Sequence, residues 1–160
     1  MELFLVRHAI AEPRDDRRLD ADRALTAEGR DKMNKGVRGL ARLDVELDRI
    51  AHSPWLRAAQ TAELLRPLTR SGAPIVATDE LARSPRDALW PDLLGDRVAV
   101  VGHEPWMGEL CAWLVLGDRT RGASFGFKKG GVAWLEGDPR PGGCVLRAYL
   151  PPRVLRRLAG

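Results

Sequence analysis

Leu3-Phe4-Leu5-Val6-Arg7-His8 is the stretch whose reading decides the fold. Its apolar run is short, bounded by Glu2 and Arg7, and shows no polar alternation, which describes a strand buried on both faces. Strands of that kind sit in sheets covered by helices. The run ends on a guanidinium and an imidazole, at the carboxyl end of the strand, where open α/β sheets bind their ligands.

The chain after it alternates helical and extended patterns. Thr26 offers a helix N-cap, Glu28 falls in the first turn, and Met33, Val37, Leu40 and Ala41 follow at helical spacing. Gly36 and Gly39 weaken this helix, each by about 1 kcal/mol against alanine. A second strand is expected over 48–52. Ser53-Pro54 then reads as an N-cap with proline at the first helical position, opening a helix that carries Leu56, Ala59, Leu64 and Leu65 and stops near Pro67. Ile75-Val76-Ala77 is a short third strand. Pro85, Pro91 and Gly95 break up 79–96, leaving one short helix from Arg86 to Leu93. The clearest buried strand is 97–101; Gly102-His103-Glu104-Pro105 turns it into a helix with Met107, Leu110, Cys111 and Leu114 on one face, closed by Gly117. Two strands near 132–135 and 144–149, joined by a turn-rich 137–143, form an antiparallel pair and finish the domain. The pattern predicts one domain over 1–160, an α/β protein with a three-layer α/β/α sandwich around a mostly parallel sheet.

Bulk properties narrow the function classes. With 160 residues, 44% hydrophobic and 30% charged, the chain is a globular one of ordinary composition. No apolar run reaches membrane-span length, and the first residues lack the features of a signal peptide, so a cytoplasmic protein with no membrane partner is expected. The net charge of +4 suits an anionic ligand. Arginines interleaved with aspartates, as in Arg14-Asp15-Asp16-Arg17-Arg18, describe a solvated loop and not a basic stripe, so no nucleic-acid partner is expected. Cys111 and Cys144 have neither metal-type spacing nor secretory context and read as ordinary buried thiols. His8, His52 and His103 lack the spacing of a metal site, and His52 reads as a strand-end residue.

Strand-end junctions carry the chemistry. Arg7 and His8 follow the first strand, Ser53-Pro54 and Arg57 the second, and His103 the fourth. In a mostly parallel sheet these four side chains can face one cleft. A phosphoryl group in transfer spreads negative charge over its equatorial oxygens and needs fixed positive donors around it, which arginine forks and helix N-termini supply. A neutral imidazole can attack phosphorus, and neighbouring cations should keep it neutral. Arg23 is the best candidate for a further substrate contact in the 14–23 loop, although solvent exposure explains that loop as well. Lys128 and Lys129 read either as a rim to the cleft or as a solvated loop, and Trp55, Trp106 and Trp113 as core or cleft-wall packing.

At these residues the chain resembles the histidine phosphatases, the superfamily that includes phosphoglycerate mutases. Arg7-His8-Ala9 matches two residues of its Arg-His-Gly motif, with Ala9 in place of the glycine. The segment from Ser53 through Arg57 to Ala62 is similar to its second motif, Val101-Gly102-His103 to its third, and Arg23-Ala24-Leu25-Thr26-Ala27-Glu28-Gly29 to a spacer between the first two. Order, spacing and length look most like the SixA-type phosphohistidine phosphatases, a branch without the large helical insertion. The resemblance implies a phosphoglycerate mutase-like fold and no cofactor or metal. It also implies a covalent phospho-His8 intermediate, with Arg7, Arg57 and His103 holding the phosphoryl group. Larger relatives place a glutamate general acid just after the third strand. Here that position falls on Arg83, with Glu80 nearby, so a labile N–P bond is the expected substrate. The partner implied is a phosphohistidine-bearing protein of phosphorelay or phosphotransfer type, or a small phosphorylated molecule, and a domain of this size can work as a monomer. Two alternatives stay open: a small-molecule phosphomonoesterase or mutase of the same superfamily, and a non-catalytic module that binds phosphoprotein or RNA.

Overall fold

Successive residues of β1 (Glu2–Arg7) feed opposite layers: Leu3 and Leu5 enter one core, Phe4 and Val6 the other. β4 (Arg97–Gly102) divides in the same way, with Val98 and Val100 on the side of Leu3 and Ala99 and Val101 on the side of Phe4. Both strands are therefore apolar on both faces, as the uninterrupted runs predicted. The computed structural model describes residues 1–160. Its remaining elements are α1 (Ala27–Ala41), β2 (Arg49–His52), α2 (Leu56–Leu64), β3 (Ile75–Ala77), α3 (Trp106–Leu116), β5 (Val132–Gly137), β6 (Cys144–Leu150) and α4 (Pro152–Leu158).

The strands form one sheet in the order β3-β2-β4-β1-β5-β6. The first four run parallel; β5 and β6 add an antiparallel edge, with Leu3 opposite Leu135 and Val132 opposite Leu150. Helices α1, α2 and α4 cover the Phe4 face, while α3 and 3-10 turns around Leu81, Leu89 and Leu93 cover the other. This is the expected α/β/α sandwich around a mostly parallel sheet, with no large helical insertion. No helix is long and apolar enough to cross a membrane. Cys111 and Cys144 are buried free thiols in the α3 core.

Several local expectations need correction. Ser53 does not cap α2, and Pro54 is not its first residue: the helix begins at Leu56 after an extended Trp55. Its inward stripe is Ala58, Thr61 and Ala62, whereas Leu56 is 38% exposed, because small side chains let α2 lie close to the sheet. Ala41 is exposed at the end of α1. The short helix expected over 86–93 is present from Asp87 to Leu93, in 3-10 form, with Pro91 inside it. The chain also does not finish on a strand, since α4 follows β6 and Leu155 enters the α1 core.

That last helix explains one of the two glycines that weaken α1 as a sequence. A Cβ added at Gly39 would stand 2.0 Å from the Leu155 carbonyl oxygen, so α4 can cross α1 only where a side chain is missing. Gly29 does the same for the chain after β1, lying where a Cβ would meet the Ile10 carbonyl at 2.1 Å. Helix propensity lost at these positions is the condition for backbone contact. Gly39→Ala should therefore destabilise the protein by about 1–3 kcal/mol through overpacking, although alanine is the better helix former by about 1 kcal/mol. A urea midpoint equal to or above that of the wild type would contradict the α1–α4 contact.

Candidate active site

Three neighbouring parallel strands deliver the site. His8 leaves β1, Ser53 leaves β2 and His103 leaves β4, all at carboxyl ends. The His8 amide donates to the Gly102 carbonyl at 3.0 Å and the Ser53 amide to Val101 at 2.9 Å, so the sheet ladder runs directly into the cleft. From β1 the chain moves to β2 beyond β4, and from β4 to β5 beyond β1; the site sits at this switch point. The His8 and His103 rings lie 5.1 Å apart, centre to centre.

His8 is only 4% exposed, and its two ring nitrogens have different partners. Nδ1 lies 2.7 Å from the Ala9 carbonyl oxygen, which can only accept, so Nδ1 carries the hydrogen. Nε2 faces the Nε–H of Arg57 at 3.3 Å, a group that can only donate, so Nε2 keeps its lone pair. Burial first, then the charges of Arg57, Arg7 and Lys129, push the imidazole down to about 3 from 6.5, against the Ala9 hydrogen bond. Desolvation, more than the neighbouring cations, thus keeps His8 neutral. Ala9 replaces a glycine without strain: it is buried, and its amide donates to Thr61 Oγ1 at 3.0 Å.

Arg57 is 3% exposed and spends its guanidinium on two sides. Its Nη1 donates to the Asp20 carbonyl oxygen at 2.6 Å and its Nη2 to Asp20 Oδ2 at 3.0 Å, while Nε points at His8. Arg23 joins the same carboxylate, donating from Nε to Asp20 Oδ1 at 2.8 Å, and its Nη1 reaches the Glu12 carbonyl. Burial raises the Asp20 carboxyl, but Arg57 and Arg23 outweigh it and hold the group below its ordinary range. Arg23 is thus drawn out of the solvated loop beside it and coupled to the cleft. The sequence reading missed Asp20, which looked like one more acid among many. Its spacing of three from Arg23 was the available signal, and nothing in the pattern linked it to Arg57.

His103 is 3% exposed, with Nε2 at 2.8 Å from Ser53 Oγ and Nδ1 buried without a partner. Burial, then His8 and Arg57, lower it to about 3. Trp55 packs on the His103 ring at 4.5 Å and under the Arg57 guanidinium at 4.7 Å; Trp106 meets Trp55 edge-on at 5.9 Å. These two tryptophans are cleft wall, while Trp113 pairs with Trp90 elsewhere. Arg7 donates from Nη1 to the Phe127 carbonyl at 2.6 Å, and its buried Nε–H has no partner. Lys129 lies near enough to Arg7, Arg23 and Arg57 for their charges, after burial, to lower its pKa. Arg7, Arg57, His8 and His103 therefore meet in one cleft, with Arg23 and Lys129 at its edge.

Other groups stand apart. His52 turns toward the Ser53 carbonyl and lines a separate groove with Gln60 and Glu63. No three His, Cys, Asp or Glu side chains are grouped so as to hold a metal ion. Glu80 is gripped by Arg86 at 2.6 and 2.5 Å, and those hydrogen bonds keep it ionised. Glu104 is the acid near Arg7: burial raises its pKa, while the Gly108 amide donates to its Oε1 at 3.1 Å.

Comparison with known proteins places the chain. The family model described as histidine phosphatase superfamily (branch 1) matches residues 3–83. An uncharacterized protein of Picosynechococcus sp. is 32% identical over 142 residues, covering 85% of each chain. Among solved structures, the protein histidine phosphatase SixA complexed with tungstate is similar with a TM-score of 0.77 and 26% identity, over 97% of this chain and 99% of that one. A SixA phosphohistidine phosphatase candidate from Agrobacterium tumefaciens is similar with a TM-score of 0.75 and 25% identity, over 94% and 97%.

Two neutral buried imidazoles have a consequence for stability. Between about 3 and 6.5 the unfolded chain binds protons that the folded His8 refuses, so its contribution is complete above pH 6.5 and is lost as pH falls toward 3. Unfolding measured from neutral pH down through that window should show His8→Asn losing less stability than the wild type. Parallel curves would contradict a buried neutral His8.

Proposed function

The chain belongs to the histidine phosphatase superfamily, and from that premise we propose that it hydrolyses phosphohistidine on a protein through a covalent phospho-His8 intermediate, without a metal. The observation that carries this reading is the His8 tautomer: Nδ1 is tied to the Ala9 carbonyl, and the unprotonated Nε2 accepts from the Arg57 Nε–H with its lone pair.

In the first step Nε2 attacks phosphorus, the substrate's P–N bond breaks, and its imidazole, already protonated on the other ring nitrogen, takes the bonding pair and leaves as the neutral base. Arg7, through its unpartnered Nε–H, and Arg57, whose Nε–H passes from His8 Nε2 to a phosphoryl oxygen as that lone pair attacks, hold the equatorial oxygens. His103 adds a third donor when Ser53 gives its hydroxyl hydrogen to Nε2, since Nδ1 then carries a hydrogen and has no other partner. Arg23 acts on the substrate through Asp20, whose carboxylate and carbonyl grip the far edge of Arg57 and fix its orientation. In the second step water attacks phospho-His8, releasing phosphate and restoring Nε2. The guanidiniums supply the positive charge that a metal would otherwise bring.

Glu80, held ionised by Arg86, is unsuited to donating a proton, and Arg83 occupies the neighbouring position. An alkoxide leaving group needs such a proton, whereas the imidazole of phosphohistidine leaves more readily. The relatives described as SixA support the same substrate class. A second reading, a small-molecule phosphomonoesterase, takes Glu104 as the acid: it follows His103, feels the charge of Arg7 and is raised by burial, as a proton donor to an ester leaving group requires.

The discriminating assay follows phosphate release from a phosphohistidine peptide and from 3-phosphoglycerate. The peptide should be turned over far faster, EDTA should have no effect, and His8→Ala should abolish release. Glu104→Gln should leave turnover of the peptide intact. Full activity of His8→Ala would overturn the mechanism, and a preference for the ester that Glu104→Gln removes would select the second reading.

A further inference from the structure

We infer that the outward face of α1 and α4 is a docking surface for an acidic patch on the phosphorylated protein substrate, leading from that patch to His8. The inference rests on the reading of a protein substrate and adds how that protein is recognised.

The charge of the molecule is concentrated there. Apart from Arg30, which lines the separate groove beside His52, α1 and α4 hold six Lys or Arg residues and only two acids, Glu28 and Asp31, an excess equal to the +4 of the whole chain. Both acids are consumed locally, Glu28 by Lys32 and Asp31 by Lys35 at 2.9 Å. α4 has no acid at all, and its Arg153, Arg156 and Arg157 form no ion pair, while arginines elsewhere on the surface, such as Arg66, Arg86 and Arg147, are paired. Free guanidinium forks suit carboxylates.

This face is continuous with the site. A groove between α1, α4 and the turn before β5 is lined by Lys32, Lys129 and Arg156 over Met33 and Pro152, and Ala9, the residue after the nucleophile, closes its inner end. No acid lines it. Lys129 belongs to both places, since it also feels the charges of Arg7, Arg23 and Arg57.

A protein fits better than a nucleic acid. Leu155 anchors α4 inward, so Arg153 and Arg157, one turn apart, form a cationic ridge on the exposed side. Beside it runs an apolar ridge of Val154 and Leu158, 41% and 39% exposed. Apolar contacts bordered by charge are the anatomy of protein interfaces, whereas a phosphodiester backbone is met by an unbroken basic track.

The test uses the full chain and its Arg153→Glu/Arg157→Glu variant, whose substitutions lie on exposed positions away from His8. Two phosphohistidine peptides of equal length serve as probes, one followed by a run of glutamates and one by glutamines. The wild type should hydrolyse the acidic peptide with kcat/KM roughly tenfold above the neutral one at low salt, an advantage that salt removes. The variant should lose that advantage and keep its rate on the neutral peptide. Equal rates for both peptides in the wild type, or an unchanged advantage in the variant, would overturn the surface. So would duplex DNA that binds more tightly than the acidic peptide and loses that binding in the variant. If neither peptide is hydrolysed, fluorescence anisotropy of the labelled, unphosphorylated acidic peptide decides. Binding lost in the variant keeps the surface and removes the phosphohistidine reading, and no binding to the wild type removes the surface.

Discussion

The hydrogen bond from His8 Nδ1 to the Ala9 carbonyl is the constraint on which the rest of the site depends. It decides which nitrogen keeps a lone pair, and burial then decides that this nitrogen stays unprotonated. A carbonyl one residue away can hold the ring only if the backbone after β1 is itself fixed. That is the work of the Ala9 amide on Thr61, of the His8 amide on Gly102 and of the close approach of Ile10 to Gly29. Sheet, α1 and α2 therefore all act on one imidazole.

Around it, the molecule must hold cations that repel each other in a poorly solvated cleft. It does so with oxygen atoms placed behind each guanidinium: Asp20 for Arg57 and Arg23, the Phe127 carbonyl for Arg7 and the Glu12 carbonyl for Arg23. With these groups engaged, the Arg57 Nε–H rests on His8 Nε2 and the buried Arg7 Nε–H has no partner; both are donors for phosphoryl oxygens once Nε2 attacks, which makes the cleft preorganised for an anion. Neutral His8 and His103 add no charge to this cluster.

The parts of this that were legible in the sequence have local causes. Apolar runs marked β1 and β4, Thr26 marked the start of α1, and Arg7-His8, Arg57 and His103 could be read because each lies at or soon after a strand end, Arg57 in the first turn of the helix after β2. What escaped depends on contacts between distant segments. Gly36 and Gly39 looked like defects in α1 because α4, too short and too polar to announce itself, supplies the reason for Gly39. The same holds for Ser53, which reads as a helix cap but serves His103, and for Asp20, whose partner lies 37 residues away. The direction of the His8 pKa was legible, but its main cause was not, since desolvation is a property of the packed cleft.

The central claim is that His8 Nε2 takes the phosphoryl group. Its most direct test is to quench the protein in alkali during turnover of a phosphohistidine peptide and to locate the phosphoryl group by mass spectrometry and phosphorus NMR. One acid-labile, alkali-stable phosphoryl group on Nε2 of His8 is the expected result. Phosphate release without any such adduct, or an adduct on Nδ1 or on another residue, would contradict it.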